Sequence, residues 1–152
     1  MQRSILKPIV VATLVCGTLD IVLAMLLTLW RGRQIEAMLR SVASGPFPGA
    51  TGMGGAGAAL GLVVHFGLMA IMVAAFMLTA RGRTALLDKP LLSGLVFGLV
   101  TYVVMNLIVV QLRFHPAFPP KPLSIATQVF AHVVLVGIPM ALIARRSLRS
   151  AA

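Results

Sequence analysis

Five polar side chains lie within otherwise apolar stretches of this 152-residue chain and could carry chemistry there: Asp20, His65, Asn106, Gln128 and His132. Polar and ionisable groups are costly to place in an apolar medium, so each one is by default a hypothesis for a functional site. Two imidazoles and a carboxylate can hold a divalent metal ion, because neutral histidine suits Zn, Cu, Fe or Ni. His65, His132 and Asp20 are therefore the candidate metal ligands.

The same residues allow three other interpretations. Two histidines on facing helices can ligate haem from both sides. A set of titratable Asp and His side chains can relay protons. The polar groups can also serve structure alone, because hydrogen bonds between membrane helices contribute ~0.6 kcal/mol each and unpaired groups in lipid cost more. His65 and His132 belong to no local motif such as His-x-x-x-His, so we favour the structural interpretation and expect no cofactor.

Sequence motifs of known catalytic sites are missing from the chain. There is no nucleophile elbow, no His-Glu-x-x-His, no dinucleotide-binding fingerprint and no cysteine pair, since Cys16 is the single cysteine. Only three acidic residues are present. The sequence therefore favours a protein that is not an enzyme.

The composition indicates the class of protein that must position these residues. Hydrophobic residues make up 59% of the chain, charged residues only 11%, and the mean hydropathy is +1.02, which is typical of membrane proteins. The net charge is +10, and all 13 Lys and Arg residues lie outside the apolar stretches or, like Lys7, near the end of one. Cations so placed act as topology determinants and contact phospholipid headgroups, so we expect a lipid-bilayer partner and no nucleic acid.

Four apolar stretches are long enough to cross the ~30 Å hydrocarbon core of a bilayer, which needs ~20 residues of helix. They cover about residues 5–30, 57–80, 91–112 and 123–144. Between the first two, residues 33–43 carry Ile35, Met38, Leu39 and Val42 at helical spacing, which predicts an interfacial amphipathic helix. The sequence thus predicts an all-α, integral membrane four-helix bundle that forms one domain over residues 1–152.

Within these spans, small residues indicate the packing faces. Gly57-x-x-x-Gly61 and Gly94-x-x-x-Gly98 predict close approach of neighbouring helices. Pro139 predicts a kink in the last span. From the predicted span ends, at 1.5 Å per residue, Asp20, His65, Asn106 and His132 fall within roughly 5 Å of one depth. A single polar cluster between the helices is therefore expected.

The distribution of basic residues predicts the topology. Four spans place both termini on one side of the membrane, and the side with more Lys and Arg is normally the cytoplasm. The side of the termini has eight, namely Arg3, Lys7, Arg81, Arg83, Lys89, Arg145, Arg146 and Arg149. The other side has five, namely Arg31, Arg33, Arg40, Arg113 and Lys121. Both termini are therefore predicted to be cytoplasmic.

Several segments together carry a resemblance to known proteins. They are the Gly17-x-x-Asp20 turn, IEAMLRSVASG at 35–45, LGLVVHFGLMA at 60–70, GLVFGLVTYVVMN at 94–106 and the final AHVVLVGIPMALIAR. This pattern resembles a broad group of bacterial four-span inner-membrane proteins and is more remotely similar to the YagU-type proteins. The resemblance implies a multi-pass protein of the bacterial inner membrane, and it transfers no activity to any residue.

Two functional hypotheses remain. The first is a non-enzymatic structural or accessory membrane component that associates through its Gly-x-x-x-Gly faces, as a homo-oligomer or within a larger complex. The alternative is a small transporter, or a protein that handles protons, metal or haem, and that uses Asp20, His65 and His132.

Overall fold

The fold is built from helices throughout the described part of the chain. The computed structural model describes residues 5–149, and no β-strand occurs among them. Its elements in chain order are α1 (Leu6–Trp30), α2 (Ile35–Ala43), a 3₁₀ turn (Pro48–Gly52), α3 (Gly54–Arg81), α4 (Thr84–Asp88), α5 (Pro90–Phe114) and α6 (Pro122–Arg149). The predicted all-α bundle is therefore confirmed.

The four long helices α1, α3, α5 and α6 are long and apolar enough to cross a membrane. Their outward faces are apolar as well: Val63 and Ile71 of α3 are 68% and 67% exposed. A water-soluble protein rarely leaves such continuous apolar surface uncovered. The helices therefore form a multi-pass membrane protein, with lipid as the medium that covers these faces.

The two ends of the bundle are distinct. At one end, here called the Trp30 end, α1 and α5 finish and α3 and α6 begin. At the other, the Arg81 end, α4 connects α3 to α5, and Arg149 at the end of α6 forms an ion pair with Asp88 of α4. The start of α1 and the end of α6 thus lie at the same end. Arg3, which the predicted topology includes, lies outside the described residues.

The apolar core joins α1, α3 and α6 towards the Arg81 end. Its largest fully buried side chains include Met69, Met77 and Met140. Cys16 is completely buried in the same core, and its thiol approaches the carbonyl oxygen of Val136 at 3.5 Å. Cys16 therefore packs as a small apolar residue between α1 and α6.

Glycines bring α5 and α6 into backbone contact. A Cβ on Gly94 would lie 2.7 Å from the carbonyl oxygen of Gly137, and a Cβ on Gly98 would lie 2.5 Å from that of His132. In return, a Cβ on Gly137 would lie 2.1 Å from the carbonyl oxygen of Gly94. Only glycine permits this approach. The Gly94 and Gly98 face is therefore occupied within the chain.

The second glycine pair serves α2. A Cβ on Gly61 would lie 2.1 Å from the carbonyl oxygen of Leu39, and one on Gly57 would lie 2.3 Å from that of Ala50. The predicted amphipathic helix is present, and Leu39 packs with Ile21 of α1 and Ala58 of α3. Protein, rather than lipid, therefore covers much of the apolar face of α2.

Arg113, at the end of α5, holds the C-terminal end of α2. Its Nε donates to the carbonyl oxygen of Gly45 at 2.7 Å and its Nη2 donates to that of Ser44 at 2.8 Å. The last carbonyls of a helix lack partners within the helix and carry partial negative charge, so a guanidinium is a favourable cap. Arg113 thereby ties α2 to the Trp30 end of α5.

Both α5 and α6 contain a π-helical segment, Val103–Val109 in α5 and Ala131–Gly137 in α6. In α6 this segment lies immediately before Pro139, where the kink is predicted. A proline has no N–H, and its ring displaces the carbonyl four residues earlier, here that of Leu135. The two segments contain Asn106 and His132, so both polar residues lie where the helices depart from α geometry.

Candidate functional site

Asp20 of α1 and His65 of α3 face each other inside the bundle. The distance from His65 Nδ1 to Asp20 Oδ2 is 3.9 Å, and the side chains are only 12% and 21% exposed, respectively. The other ring nitrogen of His65, Nε2, lies 2.9 Å from the carbonyl oxygen of Gly17. His65 therefore links two points of α1 that lie three residues apart on one helix face.

The Gly17 carbonyl determines which nitrogen of His65 carries a proton. A carbonyl oxygen can only accept, so Nε2 must be the N–H donor. If His65 is neutral, Nδ1 then has a lone pair that faces Asp20. At 3.9 Å, Nδ1 of His65 and Oδ2 of Asp20 are too far apart for a direct hydrogen bond, so the contact between the two side chains is electrostatic.

Gly17 makes this contact possible. A Cβ at this position would lie 2.6 Å from the Phe66 ring, so the missing side chain lets α1 and α3 approach. Phe66 also packs edge-on against His65, with ring centroids 5.2 Å apart. The Gly17-x-x-Asp20 spacing of the sequence thus supplies both the backbone acceptor and the carboxylate for His65.

His132 of α6 completes a group that we call the Asp–His array, made of Asp20, His65 and His132. Its Nδ1 donates to the carbonyl oxygen of Gln128, one turn earlier, at 3.0 Å, which leaves Nε2 free of that bond. His132 is 8% exposed and lies within electrostatic reach of the Asp20 carboxyl group. The ring of Tyr102 packs edge-on against it at 6.1 Å between centroids.

Asn106 and the side chain of Gln128 have a different location from the Asp–His array. Both line a cavity of about 760 Å³ at the Trp30 end of the bundle, which we call the polar cavity. Tyr102 belongs to both places, because it lines the cavity and contacts His132. The structure therefore arranges the five predicted residues as a buried array and an adjacent cavity, not as one cluster.

The predicted ligands are His65, His132 and Asp20 for a metal ion and the two histidines for haem. Within residues 5–149, no group of three or more His, Cys, Asp or Glu side chains is placed to hold a metal ion together. Nε2 of His65 donates to the Gly17 carbonyl and its Nδ1 faces Asp20. In His132, Nδ1 makes the backbone hydrogen bond, and Nε2 is the nitrogen left for a ligand. Ligation of haem through Nε2 of both histidines would require His65 to give up its hydrogen bond to the Gly17 carbonyl.

Two residues that make the contacts described above, Tyr102 and Gly137, were not predicted from the sequence to do so. Tyr102 is a large aromatic residue with a polar group midway along a span. That feature is the signal by which the sequence could have indicated a contact with a histidine. Gly137 is not part of a Gly-x-x-x-Gly motif, so its contact with Gly94 had no sequence pattern. Thr13 is buried, and its hydroxyl is the one buried side-chain polar atom without a hydrogen-bond partner in the described region.

The four predicted packing glycines all lie at close backbone contacts, which Gly57 and Gly61 make with the α2 region and Gly94 and Gly98 make with α6. Comparison of the chain with protein-family models, curated proteins and solved structures gave no match.

Proposed function

We propose that this chain is a non-enzymatic membrane protein whose Asp20–His65 pair takes up and releases a proton, as in a small proton-handling or transport protein. The observation that carries the proposal is the orientation of His65. Gly17 engages Nε2 and leaves Nδ1 facing the carboxyl group of Asp20 at 3.9 Å. A proton taken up by the pair adds one positive charge, which the neighbouring carboxylate offsets, and at 3.9 Å it would pass between the two groups through one water molecule.

The surroundings of the pair support access by a proton. His132 lies within electrostatic reach of Asp20 and contacts Tyr102, which lines the polar cavity. Tyr102 thus lies between the polar cavity and His132 of the Asp–His array. A buried titratable group next to an aqueous cavity is the usual arrangement of proton sites in membrane proteins.

The test is proton flux into proteoliposomes that contain a trapped pH-sensitive dye, driven by a potassium diffusion potential. We expect Asp20→Asn and His65→Gln to abolish the flux, because each removes one member of the exchanging pair. His115→Gln is the matched control, since His115 is exposed and lies outside the helices. Flux equal to that of empty liposomes, or flux that persists in Asp20→Asn, would refute the proposal.

The second candidate is a structural or accessory membrane component, and a different observation favours it. Both histidines donate to backbone carbonyls, and the Gly17–His65 bond joins α1 to α3. If this candidate is correct, His65→Leu lowers the thermal stability of the protein in detergent but leaves its role in the native membrane intact. Chemical cross-linking in membranes then reveals the partner. The predicted association through glycine faces would need another surface, because both faces contact other parts of this chain.

The proposed location is the bacterial inner membrane with both termini in the cytoplasm. The resemblance to bacterial four-span proteins supports a location in the inner membrane. The eight basic residues at the Arg81 end and the N-terminus support the cytoplasmic location of the termini. Fusion of green fluorescent protein or alkaline phosphatase to the C-terminus tests it in a bacterial host. We expect the green fluorescent protein fusion to be fluorescent and the alkaline phosphatase fusion to be inactive. The reverse pattern would contradict the proposed orientation.

A further inference from the structure

The polar cavity has cations at its rim. It lies between the end of α1, the end of α5 and the start of α6, and Arg31, Arg33 and Lys121 line it. All three residues are exposed. The volume of about 760 Å³ is within the range of small-molecule binding sites.

No carboxylate of the described chain neutralises these cations. The chain has three acidic side chains, and each of them has another partner. The pairs are Asp20 with His65, Glu36 with Arg40, and Asp88 with Arg149. The rim therefore has a positive potential that an external anion would satisfy.

The wall of the cavity also offers hydrogen bonds. Asn106, Gln111 and Gln128 line it, and within residues 5–149 their side-chain amides bond to no other protein group. Each amide can donate and accept, so together they suit hydroxyl groups. Cations at the rim and amides on the wall match a ligand that carries both a negative charge and hydroxyls.

Part of the remaining wall is apolar. Trp30 and Leu123 line the cavity, and they are 69% and 52% exposed. Trp30 ends the first span, at the level where tryptophan normally meets the membrane interface. A ligand in the cavity can therefore keep an apolar part in contact with this wall and the surrounding lipid.

We propose that the polar cavity binds a phosphate ester that carries hydroxyl groups, with the phosphate on Arg31, Arg33 and Lys121 and the hydroxyls on the amides of Asn106, Gln111 and Gln128. The glycerol phosphate headgroup of an anionic phospholipid has this chemistry, and so has a free sugar or polyol phosphate. The inference does not depend on proton exchange at Asp20 and His65.

Trp30 supplies the measurement, because it is the single tryptophan of the chain and lines the cavity. The protein is placed in phosphatidylcholine nanodiscs that contain a minor fraction of either brominated phosphatidylglycerol or brominated phosphatidylcholine. Bromine atoms quench tryptophan fluorescence at short range. We expect stronger quenching by the phosphatidylglycerol, since binding concentrates it beside Trp30. In a second arm, soluble glycerol phosphate is titrated and the emission of Trp30 is followed.

The decisive variant is Arg31→Gln/Arg33→Gln/Lys121→Gln, which removes the rim cations. Near an anionic lipid surface each cation contributes on the order of fivefold in affinity, so we expect a loss of on the order of 100-fold. The matched control removes three exposed cations at the Arg81 end, Lys7→Gln/Arg81→Gln/Arg83→Gln, and we expect it to behave like the original chain.

The two arms distinguish the sources of the ligand. Preferential quenching by the lipid that depends on the rim cations identifies a phospholipid headgroup. A saturable response to glycerol phosphate with the same dependence, without a lipid preference, identifies a soluble ester. The proposal is overturned if neither probe gives a response, or if the rim variant and the Arg81-end control reduce the response equally.

Discussion

Replacement of Gly61 by alanine tests whether α2 is held by direct backbone contact with α3. The new Cβ would lie 2.1 Å from the carbonyl oxygen of Leu39, whereas carbon and oxygen ordinarily approach to ~3.3 Å. The helices must therefore separate by more than ~1 Å. Overpacking of this kind typically costs ~1–3 kcal/mol of stability, because neighbouring backbone cannot yield as a flexible side chain can.

Gly67→Ala is the matched control for this substitution. Gly67 lies in the same helix, is exposed, and a Cβ there would meet no atom within 4 Å. It therefore measures the gain in helix propensity, ~1 kcal/mol in water, without the steric cost. We expect Gly61→Ala to melt roughly 2–12 °C below Gly67→Ala, taking roughly 2–4 °C per kcal/mol for a chain of this size.

The assay is thermal unfolding in detergent, followed by far-UV circular dichroism and by the fluorescence of Trp30. Both variants must first elute as folded protein in size-exclusion chromatography. Equal melting temperatures for the two variants would show that α2 does not rest against Gly61.

Three further predictions concern single contacts. Arg113→Gln removes the guanidinium cap of α2, so hydrogen exchange in residues 44–53 should become faster, while Arg83→Gln leaves it unchanged; equal exchange in both would contradict the cap. Thr13→Val removes a buried hydroxyl without a partner and should raise stability by up to ~1 kcal/mol, whereas Thr28→Val loses a 2.7 Å bond to a carbonyl and should not. Gly137→Ala would press a Cβ against α5, so the melting temperature should fall as for Gly61→Ala; an unchanged value would refute backbone contact between α5 and α6.

Hydropathy along the chain was enough to predict the class of protein, the number of long helices and their approximate bounds. Hydropathy is a local property, and ~20 apolar residues are required to cross a bilayer wherever the helix packs. The same holds for α2, because the period of Ile35, Met38 and Leu39 depends on helix geometry alone. The glycine motifs likewise indicated close approach, since a missing side chain is visible in the sequence.

Which helix surfaces meet depends on packing between distant segments and could not be predicted from the sequence. The sequence could place Asp20, His65 and His132 at similar depth, but depth does not determine the rotation of each helix about its axis. The structure brings Asp20 to His65, and the π-helical segments of α5 and α6 occur where Asn106 and His132 lie. Asn106 therefore lines the polar cavity instead of joining the array.

The protonation pattern of His65 is the clearest example of what tertiary contact adds. Nothing local to α3 specifies which ring nitrogen carries the proton. The carbonyl of Gly17, 48 residues away in the chain, determines it, because it accepts from Nε2 and leaves Nδ1 to Asp20. In the same way, the sequence shows Arg31, Arg33 and Lys121 only as basic residues in the connections between helices. They become the rim of a cavity only because α5 and α6 end and begin beside them.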